Sequence, residues 1–120
     1  MSENSKILLV DDEYDIALAF SLGLQSGGFS VDLFNNPIEA LSNFKVSFYK
    51  LALLDIKMPE MDGIELAQKI KERDDKIKIC LITAFDLEDP RIKEFSPCII
   101  KKPISMDDLI KKIQSEINRN

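Results

Sequence analysis

Asp11 and Asp12 follow the apolar run Ile7–Val10, Asp55 follows Leu51–Leu54, Thr83 follows Ile77–Ile82, and Lys102 stands just past Cys98–Ile100. Each polar residue thus arrives directly after a stretch of aliphatic chain. Three carboxylates brought together repel one another and raise their own pKa values, a conflict that a divalent cation resolves. Oxygen-only ligands in a chain without histidine select a hard ion, Mg²⁺ before Zn²⁺ or Cu²⁺. A carboxylate can attack phosphorus to form an acyl phosphate. The rest of such a transfer is positioning and charge neutralisation. The cation would serve one phosphoryl oxygen, the Lys102 ammonium a second and the Thr83 hydroxyl a third.

Taken singly, each of these residues has an ordinary explanation. Asp11-Asp12 can cap a helix, Asp55 can be a strand-to-loop aspartate, and Thr83 suits any strand end. Lys102 belongs to a Lys101-Lys102 pair of the kind solvent usually holds. The chemistry exists only if the fold brings them to one place.

The elements that would do so are legible. Ile7–Val10, Leu51–Leu54 and Ile77–Ile82 are nearly continuous in Val, Ile and Leu, as strands covered on both faces are. Val31–Phe34 and Cys98–Ile100 are shorter or more broken, as at sheet edges. Helical patterns alternate with these runs, which predicts parallel strands in a doubly wound α/β sheet. Asn36-Pro37-Ile38-Glu39, Asp62-Gly63 and Ser105-Met106-Asp107-Asp108 read as helix starts, and Gly27-Gly28 as a helix end. Leu109, Ile113 and Ile117 share one helical face. Right-handed crossovers bring the C-terminal ends of all strands to one edge, where open α/β sheets bind ligands.

Composition narrows the alternatives. With 120 residues, 45% of them hydrophobic, the chain can build one core without staples, and one domain over 1–120 with no output domain is expected. A net charge of −5 argues against nucleic acid as a partner. Without histidine, Ser-His and Cys-His catalysis are excluded. Cys80 and Cys98 are too few and too far apart in the chain for a zinc site, and each reads as a small hydrophobe. Met1–Lys6 is polar, the next apolar run stops at Val10, and no stretch approaches the length of a membrane span. No signal peptide, no membrane partner and a cytoplasmic location are therefore expected.

Leu9-Val10-Asp11-Asp12-Glu13, Leu54-Asp55-Ile56-Lys57-Met58-Pro59 with Met61-Asp62-Gly63, Thr83-Ala84 and Lys102-Pro103 together resemble the response-regulator receiver family across essentially the whole chain. The resemblance implies a flavodoxin-like (βα)5 fold with strand order 2-1-3-4-5. It implies phosphoryl transfer from a histidine-kinase phosphohistidine, or from a phosphotransfer protein, onto Asp55, followed by slow self-dephosphorylation and binding of an unknown downstream protein. It further implies Mg²⁺ ligated by Asp12 and Asp55, by Asp11 partly through water, and by the backbone carbonyl of Lys57, with Lys102-Pro103 as a cis-proline turn.

Two departures fall outside this chemistry. The family often carries Tyr or Phe three residues before the conserved lysine, where this chain has Ile99, too stiff and apolar to swing in the same way. The stretch from Ala84 to Pro97 is short, with a fourth helix expected from Asp89-Pro90 to about Phe95 and with Ile92 and Phe95 facing the core. Both predict an altered switch on the output side. Two other functions compete: a degenerate receiver that binds partners without phosphate, and an aspartate-nucleophile phosphohydrolase. All the pocket residues the first would lose are present, and no Gly-rich phosphate loop serves the second.

Overall fold

The computed structural model describes residues 5–84, 88–94 and 97–119. The elements run β1 (Lys6–Val10), α1 (Tyr14–Ser26), β2 (Ser30–Phe34), α2 (Pro37–Ser42), β3 (Leu51–Asp55), α3 (Gly63–Arg73) and β4 (Lys78–Thr83). A 3₁₀ helix (Pro90–Glu94), β5 (Cys98–Lys101) and α4 (Met106–Asn118) complete the order. Among the described residues the strands form one five-stranded parallel sheet, β2-β1-β3-β4-β5. This is the flavodoxin-like topology expected from the alternation, with the two broken apolar runs at the edges.

Side chains alternate across the sheet and divide the core in two. Leu8, Val10, Ala52, Leu54 and Leu81 face α2 and α3, where they meet Ala40, Ile64, Ala67 and Ile70. Ile7, Leu9, Leu53 and Ile82 face the other way, onto Leu24 of α1 and Leu109 and Ile113 of α4. Every residue of β3 is buried, because the central strand has a helical layer on each side. Each fully buried Leu or Ile adds roughly 1.5–3 kcal/mol, so the sheet interior rather than local propensity holds the strand ends in place.

The punctuation works as the residue types demand. The Asn36 side chain accepts N–H bonds from Ile38 and Glu39, Asp62 accepts from Glu65, and Ser105 accepts from Asp108. Gly28 takes φ 98° just past α1. Between β4 and β5 the described residues hold five residues of 3₁₀ helix, with Ile92 packed against the core. Phe95, expected to share that packing, lies outside the described residues. Cys80 and Cys98, distant in sequence, are register partners on β4 and β5 and are free thiols.

Candidate functional site

At the C-terminal edge of the sheet, Asp11 and Asp12 leave β1, Asp55 closes β3, Thr83 closes β4, and Lys102 follows β5. Carboxylate oxygens of Asp11, Asp12 and Asp55 lie within 4.8 Å of one another. Lys102 Nζ stands 3.7 Å from Asp11 Oδ2 and 3.7 Å from Asp55 Oδ1. The Lys102 backbone N–H donates to the Thr83 carbonyl at 2.8 Å, which ties β5's exit to the end of β4, and the Lys102-Pro103 peptide is cis. Lys57 follows Asp55 by two residues and lines a 530 Å³ cavity beside Asp12, Met58 and Pro59. Every residue singled out from the sequence therefore stands at one edge.

The electrostatics are those of an acidic cup short of cations. The Asp11 and Asp55 side chains are only 1% and 8% exposed. Burial, then the Asp11 charge, pushes the Asp55 carboxyl up to about 6; Lys102 pulls it back, and Asp12 adds a smaller push upward. The two carboxylate oxygens of Asp11 differ in their partners. Its Oδ1 accepts the Glu13 N–H at 3.0 Å near the start of α1, while its buried Oδ2 accepts no hydrogen bond. A buried carboxylate oxygen without a donor, beside two further carboxylates, fits a hard cation. The cluster can coordinate a metal, and the donor set suits Mg²⁺.

Two supports of the cup become visible only in the packing. A Cβ at Gly63 would overlap the backbone carbonyl of Asp55, so α3 can begin this close under the end of β3 only with glycine there. Gly63 also donates its N–H to the Ile56 carbonyl at 2.8 Å. The second support is Arg91 of the 3₁₀ helix, whose Nη2 lies 3.0 Å from Asp62 Oδ2 and 2.7 Å from Asp89 Oδ2. It fastens the short crossover to the residue that caps α3, along the wall of the cavity that Asp12 and Lys57 also line.

The comparisons agree with this architecture. The response regulator receiver domain model matches residues 7–114, and the chain belongs to that family. It is 34% identical to the response regulator receiver protein CpdR of Brucella abortus (strain 2308), over 91% of this chain and 93% of that protein. It is 28% identical to the transcriptional regulatory protein YkoG of Bacillus subtilis (strain 168), of which it covers 53%. Among solved structures, a CheY-like receiver domain protein from Methanospirillum hungatei JF-1 superposes with a TM-score of 0.90 at 28% identity, covering 97% of this chain and 95% of that one. The response regulator TrrA from Thermotoga maritima, in complex with Mg²⁺-BeF, gives a TM-score of 0.82 at 31% identity over 92% and 97% of the two chains. The protein is a phosphorylation-based signalling module rather than a conventional enzyme. No helix among the described residues is long and apolar enough to cross a membrane.

Proposed function

We propose that Asp55 is the phosphoacceptor, drawing its phosphoryl group from the phosphohistidine of a histidine kinase or phosphotransfer protein. The observation that carries this is the meeting of Asp11, Asp12 and Asp55 oxygens within 4.8 Å, with Lys102 at 3.7 Å from two of the three. Asp11, Asp12, Asp55 and the Lys57 carbonyl would hold Mg²⁺, which when bound supplies positive charge to the carboxylates and to the transferring group.

An Asp55 carboxylate oxygen attacks phosphorus, the phosphorus–nitrogen bond to the donor imidazole breaks, and the electron pair leaves with the imidazole. Lys102 favours the ionised, nucleophilic form of Asp55 and offsets charge on a phosphoryl oxygen as a point charge. The Thr83 hydroxyl donates to another of these oxygens. Phosphorylation adds about −1.5 to −2 charge at the sheet edge and biases a two-state surface toward a downstream protein.

The same reading places the receiver in the cytoplasm, with neither nucleic acid nor membrane as partner. The net charge of −5 supports the exclusion of nucleic acid.

Transfer of radiolabel from a phosphorylated histidine-kinase core tests the proposal. Label should appear in the chain as a base-labile acyl phosphate and be absent from Asp55→Asn. Sustained failure to accept label, with partner binding intact, would instead favour the phosphate-independent receiver.

A further inference from the structure

At the opposite end of the sheet from the acidic cup, we propose a second interaction surface, built on the 44–50 loop, that docks a short acidic segment of a partner protein through one apolar anchor side chain.

The loop joins α2 to β3 and presents two large apolar residues to solvent: Val46 is 57% exposed and Phe48 43%. The Phe48 ring has Lys45 Nζ at 4.8 Å and Lys6 Nζ at 5.6 Å from its centroid, and Tyr49 meets it edge-on at 5.0 Å. Lys50 and Lys76, both exposed, extend the positive rim. Asp75, next to Lys76 in the chain, is exposed, while two other nearby carboxylates are already engaged. Asp32 takes the Tyr49 hydroxyl at 2.8 Å and Lys6 at 2.9 Å, and buried Asp74 takes the N–H groups of Ser47 at 2.9 Å and Lys76 at 3.2 Å. A chain of net charge −5 therefore carries a positive, aromatic patch at the end of the sheet farthest from its acidic cup.

The loop's conformation is held rather than relaxed. Ser47 adopts φ 63°, a left-handed geometry that is unfavourable for a non-glycine residue. The Asp74 carboxylate fixes it there through the Ser47 N–H. Held this way, Val46 and Phe48 stay on the outside on either side of the turn. Beneath the loop a cavity of about 210 Å³ has Phe48, Tyr49, Lys50, Asp74, Lys76 and Ile77 in its lining, room for a single aliphatic side chain beside two lysines and one carboxylate.

Charge complementarity selects an acidic peptide, with the exposed apolar pair and the cavity supplying the anchor. A nucleic acid fits less well. Its long polyanion would feel the net negative charge of the whole chain, and the cavity wall carries a carboxylate. A short segment responds mainly to charges within a Debye length of about 10 Å, and here the exposed Lys45, Lys50 and Lys76 outnumber the carboxylates of Asp74 and Asp75, with Asp32 paired to Lys6.

The test is an amide-shift titration of the ¹⁵N-labelled full chain with a synthetic peptide of aspartates and glutamates around a single leucine. The expected result is saturable shifts centred on residues 44–50 and 76–78, weakened about tenfold or more by Lys45→Glu combined with Lys76→Glu. Phe48→Ala serves as the second variant, and preserved spectral dispersion shows that each variant is folded. Four results would overturn the proposal. These are no saturable shifts at this loop, an equal response to the same peptide with glycine for leucine, tighter binding of an oligothymidylate at this loop, or the same shifts produced by raising protein concentration alone.

Discussion

Lys102 Nζ stands 3.7 Å from Asp55 Oδ1, near enough to bias its charge but longer than a good hydrogen bond. The lysine thus acts as a nearby charge on a carboxylate that burial and Asp11 push the other way. The same ammonium lies 3.7 Å from Asp11, so it competes for the oxygens that a cation would use.

Lys102→Ala should therefore separate two quantities that usually fall together. Removing a cation from an acidic cup should tighten Mg²⁺ binding, while phosphoryl transfer slows by about 10²-fold for loss of one charge-stabilising group. Calorimetric Mg²⁺ titration and single-turnover labelling measure the two effects. Weaker metal binding in the variant would contradict the role given to the lysine.

The raised Asp55 pKa makes a statement about stability without metal. With a folded-state value of about 6 against an ordinary 3.8, the folded chain holds this proton more tightly than the unfolded chain does. The group's contribution to stability is fully present below the unfolded value and is lost as pH rises through about 6. Urea unfolding in chelator should show this loss in the wild type, and Asp55→Asn should flatten it and be the more stable form at neutral pH. Added Mg²⁺ should restore stability at neutral pH, by about 2.7 kcal/mol at a hundredfold excess over Kd.

Gly63→Ala tests how closely α3 is seated beneath the phosphoacceptor. The added methyl would meet only rigid backbone, at Asp55 and Ile56, so a loss of about 1–3 kcal/mol is expected together with slower labelling of Asp55. Thermal unfolding and labelling rates check both. A variant stable and labelled like the wild type would show that the backbone yields there at no cost.

Arg91→Ala should leave global stability within about 1 kcal/mol, because its ion pairs are partly exposed. It should instead free the 3₁₀ helix, seen as faster amide exchange at residues 90–94. The Asp89 carboxyl, held down at about 2 chiefly by its hydrogen bonds to Arg91, should return to the ordinary carboxylate range in a side-chain titration. With Ile99 in place of an aromatic on β5, beryllofluoride with Mg²⁺ should shift amides strongly near residues 55–57 and only weakly around Ile99. A large rearrangement at Ile99 would contradict the expected change of switch.

The residues that announced themselves did so through local pattern. Asp11, Asp55, Thr83 and Lys102 each follow an apolar run, and parallel topology alone carries such residues to one edge. The caps at Asn36, Asp62 and Ser105 were legible for the same reason, since side-chain type and the next few residues define them. Gly63 read as a helix start and as part of the Met61-Asp62-Gly63 motif, but neither reading showed the closeness to Asp55 that seats α3. Arg91 gave no signal, because its bonds to Asp62 join positions 29 residues apart. Ser47 and Asp74, 27 residues apart, are a similar case. Cys80 and Cys98 looked distant until strand register set them side by side.

The most direct measurement is intact mass after incubation with acetyl phosphate, with Mg²⁺ and with chelator in its place. One phosphoryl adduct that forms only with Mg²⁺ and vanishes in Asp55→Asn is the predicted result. An adduct that persists in Asp55→Asn, or that forms equally well in chelator, would contradict the assignment of Asp55 as a metal-assisted phosphoacceptor.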